Sequence, residues 1–148
     1  MIKFVTDSTA YLPEETVRRH DIRVVPLYVH FGETAFREGM DLSNSEFFDR
    51  LKAAPVLPTT SQPSAGEFHE VFKELADQGH EIITMTISSK LSGTWNSAIA
   101  AKEMLPGAEI SVIDSLSTSV GLQLMLEDAL SAASAGATRS EISRHISV

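Results

Sequence analysis

Ile82-Ile83-Thr84-Met85-Thr86-Ile87, followed by Ser88-Ser89-Lys90-Leu91-Ser92-Gly93-Thr94, is the stretch whose reading decides the fold. An apolar, β-branched run of this length suits a buried strand, and Gly93 marks a strand-to-helix turn after it. Three other runs share the character of the first: Ile2–Thr6, Ile22–Phe31 and Ile110–Ile113. Helical patterns separate them. Ser43…Glu46, Ser64…Glu67 and Thr138…Glu141 have the capping-box spacing, in which a hydroxyl caps a backbone amide and a glutamate reaches back. The helix after Ser43 places Phe47, Phe48 and Leu51 on one side, and the helix after Ser64 does so with Phe68, Val71, Phe72 and Leu75. Both read as helices packed on a sheet. Strands alternating with helices require crossover connections, so the expected fold is α/β: a mainly parallel sheet flanked by helices on both faces, one domain over residues 1–148.

Punctuation refines this outline. Gly32 and Gly39 bracket a segment around Phe36 that can form an additional hairpin, and Pro55, Pro58 and Pro63 mark a loop. The helix opened by Thr138 reads as still running at Arg144-His145-Ile146-Ser147-Val148, with no glycine stop, which suggests a chain cut before a second domain.

With 43% hydrophobic and 22% charged residues the composition is that of a water-soluble globular domain, and no apolar run is long enough for stable membrane insertion. Met1–Val5 meets Asp7 too soon to be the apolar core of a signal peptide, so the expected location is the cytoplasm. The absence of cysteine excludes disulfides and thiolate metal sites. A net charge of −8, with basic residues that do not cluster, argues against a nucleic-acid partner.

In open parallel sheets ligands bind beyond the carboxyl ends of the strands. The segments there are rich in hydroxyls: Thr6-Asp7-Ser8-Thr9, Thr59-Thr60-Ser61-Gln62-Pro63-Ser64, Ser88 through Thr94, and Asp114-Ser115 with Ser117-Thr118-Ser119. Hydroxyls and helix N-terminal amides together can hold a carboxylate or phosphate oxygen. Many of these residues also suit turns and caps. Ser64 reads as a cap, Asp7 and Asp114 as carboxylates that tie down their turns, while Ser92 and Thr94 beside Gly93 fit either role. His20, His30, His69, His80 and His145 have no metal-ligand spacing. Leu91-Ser92-Gly93 lacks the preceding glycine of a nucleophile elbow, and no dinucleotide fingerprint or phosphate loop is present. No catalytic residue, metal or cofactor is therefore expected.

Several of these segments, taken together, resemble a known pattern. They are Val5-Thr6-Asp7-Ser8-Thr9, Val25-Pro26-Leu27, Leu57-Pro58-Thr59-Thr60-Ser61-Gln62-Pro63-Ser64 with Gly66-Glu67-Phe68, Ile87 through Thr94, Val112-Ile113-Asp114-Ser115, and Gly121-Leu122. The chain is similar over its whole length to the DegV family, which includes the fatty-acid-binding subunits of bacterial fatty acid kinase. The resemblance implies a two-domain α/β protein nearly twice this length, with one acyl chain in an apolar tunnel and its carboxylate held by hydroxyls. By motif match Thr60 and Ser92 become the carboxylate ligands, with Ser61, Gly93 and Thr94 beside them. It further implies a lipid-binding accessory protein, not an enzyme, that presents a long-chain fatty acid to a partner kinase for phosphorylation and so feeds phospholipid metabolism. Trp95 stands where the family often has tyrosine. A chain lacking the second half is expected to expose apolar surface and can dimerise through it. The alternative reading is a phosphosugar-binding enzyme or sensor of sugar-isomerase type, since Ser89-x-x-Ser92-Gly93-Thr94 partly resembles that turn; of the residues in these loops only Lys90 is cationic.

Overall fold

The computed structural model describes residues 1–147. Four parallel strands form the main sheet: β1 (Ile2–Asp7), β2 (Arg23–Val25), β6 (Glu81–Thr86) and β7 (Ile110–Asp114), in the order β2-β1-β6-β7. Helices α1 (Glu14–His20), α3 (Ala65–Asp77), α4 (Thr94–Glu103), α5 (Ser119–Ser134) and α6 (Arg139–Ile146) connect or follow these strands. The two-residue side-chain period divides the sheet's apolar residues between two cores. On one face Phe4, Ile83, Met85 and Ile113 pack with Leu122, Leu126, Ala129 and Leu130 of α5 and Ile142 and Ile146 of α6. On the other, Val5, Val25, Ile82 and Ile110 meet Phe68, Phe72 and Leu75 of α3 and Ala98 and Ala101 of α4. This is the α/β sheet covered on both faces that the pattern predicts.

Five local expectations are corrected. The run Ile22–Phe31 is not one strand. Proline at position 26 has no amide hydrogen to donate, and the chain leaves the main sheet there. Beyond it, Tyr28–Phe31 forms β3 of a separate antiparallel sheet, ordered β4-β3-β5. The hairpin foreseen around Gly32 is present: β3 turns through Gly32-Glu33, with Gly32 at φ +61°, into β4 (Thr34–Arg37). The proline-rich connection is not wholly loop, because Thr59–Ser61 forms β5 against β3. A three-residue polar strand leaves too short a pattern to stand out among prolines.

The helix capped by Ser43, α2 (Asn44–Ala53), does not pack on the main sheet and has no buried residue. Its Phe47 instead meets Phe31 of β3 at 5.9 Å between ring centroids, and Arg50 lies over the Phe36 ring. Ser43 caps the Glu46 amide without the reciprocal bond, whereas Ser64–Glu67 and Thr138–Glu141 are complete capping boxes. Finally, α6 stops at Ile146, where Ser147 turns extended; Val148 lies outside the described residues.

Candidate functional site

The chain runs from β1 outward to β2 and later returns to the opposite side of β1 as β6. The carboxyl ends of β1 and β6 therefore flank a topological switch point, where open parallel sheets form crevices. Asp7, the last residue of β1, ties the two strand ends together. Its Oδ2 accepts from the Ile87 amide at 2.7 Å, and its Oδ1 accepts from the Thr9 amide and hydroxyl at 2.9 and 2.6 Å. Burial raises the Asp7 pKa above its ordinary value, while these three donors oppose the rise. With both oxygens occupied, Asp7 is a structural tie and not a free base.

A groove of about 430 Å3 lies beside this tie, between the main sheet's carboxyl edge, the small sheet and α2. Leu27, Val29, Leu42, Phe47, Phe48 and Ile87 form its apolar wall, and Thr60 faces it from β5. Register explains that placement. Thr60 pairs with Val29, so the two side chains share one face of the small sheet, while Ser61 pairs with Tyr28 and lies on the other face. There the Ser61 hydroxyl meets His30 Nε2 at 2.8 Å.

Ser92, Gly93 and Thr94 form the entry to α4 and do not line this groove. They are joined to the β5 region through Gln62: a β-carbon on Gly93 would fall 2.6 Å from Gln62 Nε2, so a side chain there would displace the Gln62 amide. The Ser92 and Thr94 hydroxyls lie 2.9 Å apart, and the Thr94 amide donates to Ser92 Oγ at 3.3 Å. Thr94 is fully buried, whereas Ser92 is half-buried. Gly93 occupies the N-cap of α4 and supplies no side-chain cap.

Most of the other hydroxyls are already committed. Ser88 accepts from the Lys90 amide, Ser115 donates to the Ser117 carbonyl, and Asp114 accepts from the Ser89 and Leu116 amides. Burial works against the Asp114 carboxylate, but hydrogen bonds from Ser89 and Leu116 outweigh it and hold its pKa below the ordinary value. Among the described residues, no group of three or more His, Cys, Asp or Glu residues is placed to hold a metal ion.

The groove's far wall was not legible in the sequence. Tyr11 donates its hydroxyl to Glu38 Oε1 at 2.5 Å, and Ser8 donates to Glu38 Oε2 at 3.1 Å. Burial, followed by the Glu38 contact, pushes the Tyr11 phenol far above its ordinary pKa, so it remains a donor. No local motif announces this pair, since 27 residues separate its members.

Together these features define an α/β domain with an apolar, hydroxyl-edged groove at the switch point of its parallel sheet. A model described as "Uncharacterised protein, DegV family" matches residues 1–148, and the chain belongs to the DegV family. It is 47% identical over 115 residues to the DegV domain-containing protein BH3627 of Halalkalibacterium halodurans, a match spanning 77% of this chain and 41% of that protein. Its fold is similar to that of a stearic acid-binding protein from Eubacterium ventriosum, with a TM-score of 0.91 and 36% identity over 96% of this chain and 50% of the other. It is likewise similar to DegV of Bacillus subtilis, described as a fatty acid binding protein, with a TM-score of 0.91 and 33% identity over 98% of this chain and 52% of that one. The chain thus spans about half the length of these relatives.

Proposed function

We propose that this protein binds a long-chain fatty acid, with the acyl chain in the apolar groove and the carboxylate held between Thr60 at the groove's edge and Ser92 at the entry to α4, outside the groove wall. The observation that carries the reading is the groove itself: an aliphatic and aromatic wall at the switch point, edged by a threonine hydroxyl with no protein hydrogen-bond partner among the described residues. The fatty-acid ligands named for the Eubacterium ventriosum and Bacillus subtilis relatives support it. Burial of methylenes, at roughly 0.8 kcal/mol each, supplies most of the affinity in such a site, while hydroxyls fix the direction of the headgroup.

Ser61, Gly93 and Thr94 act as neighbours of the headgroup: Gly93 leaves room for Gln62, Thr94 positions the Ser92 hydroxyl, and the amino end of α4 favours an anion. Ser61, on the opposite face, acts through its strand rather than by direct contact. Asp7 and Glu38, the carboxylates nearest the groove, are both occupied by donors, which fits a carrier that leaves bond chemistry to a partner. In this reading the carrier works in the cytoplasm and presents the carboxyl group to a fatty acid kinase subunit. Among the described residues, no helix is long and apolar enough to cross a membrane.

Native mass spectrometry of the purified protein tests the binding step. A bound mass equal to a long-chain fatty acid is expected. A bound phosphosugar would favour the sugar-isomerase alternative, and a bare chain that also takes up no added fatty acid would reject the lipid reading.

A further inference from the structure

On the other side of the Tyr11–Glu38 pair lies a second groove, of about 490 Å3, and Tyr11, Glu38 and Asn44 border both. The pair is therefore a partition. It ties the open end of the β3–β4 hairpin to the segment after β1: the Leu27 amide donates to Ser8 Oγ, Ser8 donates to Glu38, Tyr11 donates to Glu38, and the Glu38 amide returns to the Leu27 carbonyl at 2.8 Å. Tyr11 holds its place at φ +47°, a conformation disfavoured for any residue with a β-carbon. It does so as the left-handed C-cap of the 3-10 turn Ser8–Ala10, its amide donating to the Ser8 carbonyl, and this aims the phenol at Glu38.

The partition stands opposite the proposed headgroup end. Thr60 lies on β5 beside Val29, and Glu38 just past the end of β4, across from Leu27. Two strand spacings and a two-residue offset separate them by about 12 Å. A long acyl chain, extended from Thr60 across this face, outruns that span. Its tail must either fold back within the first groove or pass the partition into the second, whose floor includes Ala10, Leu12, Val17, Val24 and Met40.

Building on the fatty-acid reading, we infer that the Tyr11–Glu38 pair selects acyl-chain length, acting as the stop for the tail between the two grooves. Tyr11→Gly removes the ring and suits the backbone, because glycine adopts φ +47° without penalty. Glu38→Ala dismantles the same wall from the other side, and serves where the first variant does not fold.

The test is competitive binding of palmitate and stearate to the protein and both variants. Opening the partition is expected to raise the preference for stearate over palmitate by about tenfold, the worth of two further buried methylenes. Adding Met40→Trp to Tyr11→Gly, which fills the second groove, is expected to return the ratio toward that of the parent. If the parent binds both acids and the ratio is unchanged in both opened variants, the pair is not the stop and this inference falls alone. If the parent binds neither acid, the fatty-acid reading falls and takes this inference with it.

Discussion

Thr60 is the residue on which the headgroup assignment turns, and its environment differs from that of the hydroxyls around it. Thr9 is bound to Asp7, Ser8 to Glu38 and Ser115 to a carbonyl, whereas Thr60 faces the groove from the exposed edge of the small sheet. Ser92 is half-buried at the entry to α4, where its Oγ can accept from Thr94 and still donate its own proton outward. A hydrogen bond to a charged acceptor contributes about 1.5–3 kcal/mol. Thr60→Val preserves shape and deletes the donor, and Ser92→Ala nearly does the same. Each is therefore expected to weaken fatty-acid binding by about tenfold or more, with a non-additive double variant if both grip one carboxylate. Calorimetry with the acid and with the matching fatty alcohol separates this from a structural role: the alcohol should be nearly indifferent to both changes. Equal losses for acid and alcohol would assign these hydroxyls to turns and caps.

The elements divide into a rigid platform and a lighter cover. Strands β1 and β6 are buried on both faces between two cores, while α2 buries no residue and leaves Phe48 55% exposed at the groove. Few buried contacts mean low local stability. Backbone amides of α2 are therefore expected to exchange with solvent well before those of β6. Phe47→Ala, which deletes the contact with Phe31, should accelerate exchange in α2 while leaving β6 protected. Uniform exchange across α2 and β6 would show that the cover and platform open as one unit. This division also explains what the sequence revealed. The strands of the main sheet and the caps of α3 and α6 were legible because a continuous apolar run or a fixed hydroxyl–glutamate spacing encodes each locally. The separation of β2 from β3 was encoded only by Pro26, and the pairing of Thr59–Ser61 with Tyr28–His30 depends on a partner strand thirty residues away. Phe47 and Phe48 had the period of a core-facing helix, but they cover a small sheet that had not been recognised. The Tyr11–Glu38 wall arises wholly from tertiary contact.

At the scale of the whole molecule, the α/β platform brings the carboxyl ends of β1 and β6 together, and the small sheet with α2 converts that edge into a groove. Val120 and Leu124, one helical turn apart on α5, are 64% and 59% exposed, so apolar surface is also present away from the groove. The central claim is that the groove takes a long-chain acid by its tail and fixes it by its carboxylate. It predicts a specific ligand order, because the apolar wall favours the chain and the hydroxyl edge favours the charge. The most direct measurement is a calorimetric titration of the ligand-stripped protein with stearate, with stearyl alcohol and with a sugar phosphate. The account predicts one stearate per chain, binding of the alcohol weaker by about tenfold or more for loss of the charged acceptor, and no binding of the sugar phosphate. Saturable binding of the sugar phosphate with none of stearate would contradict it.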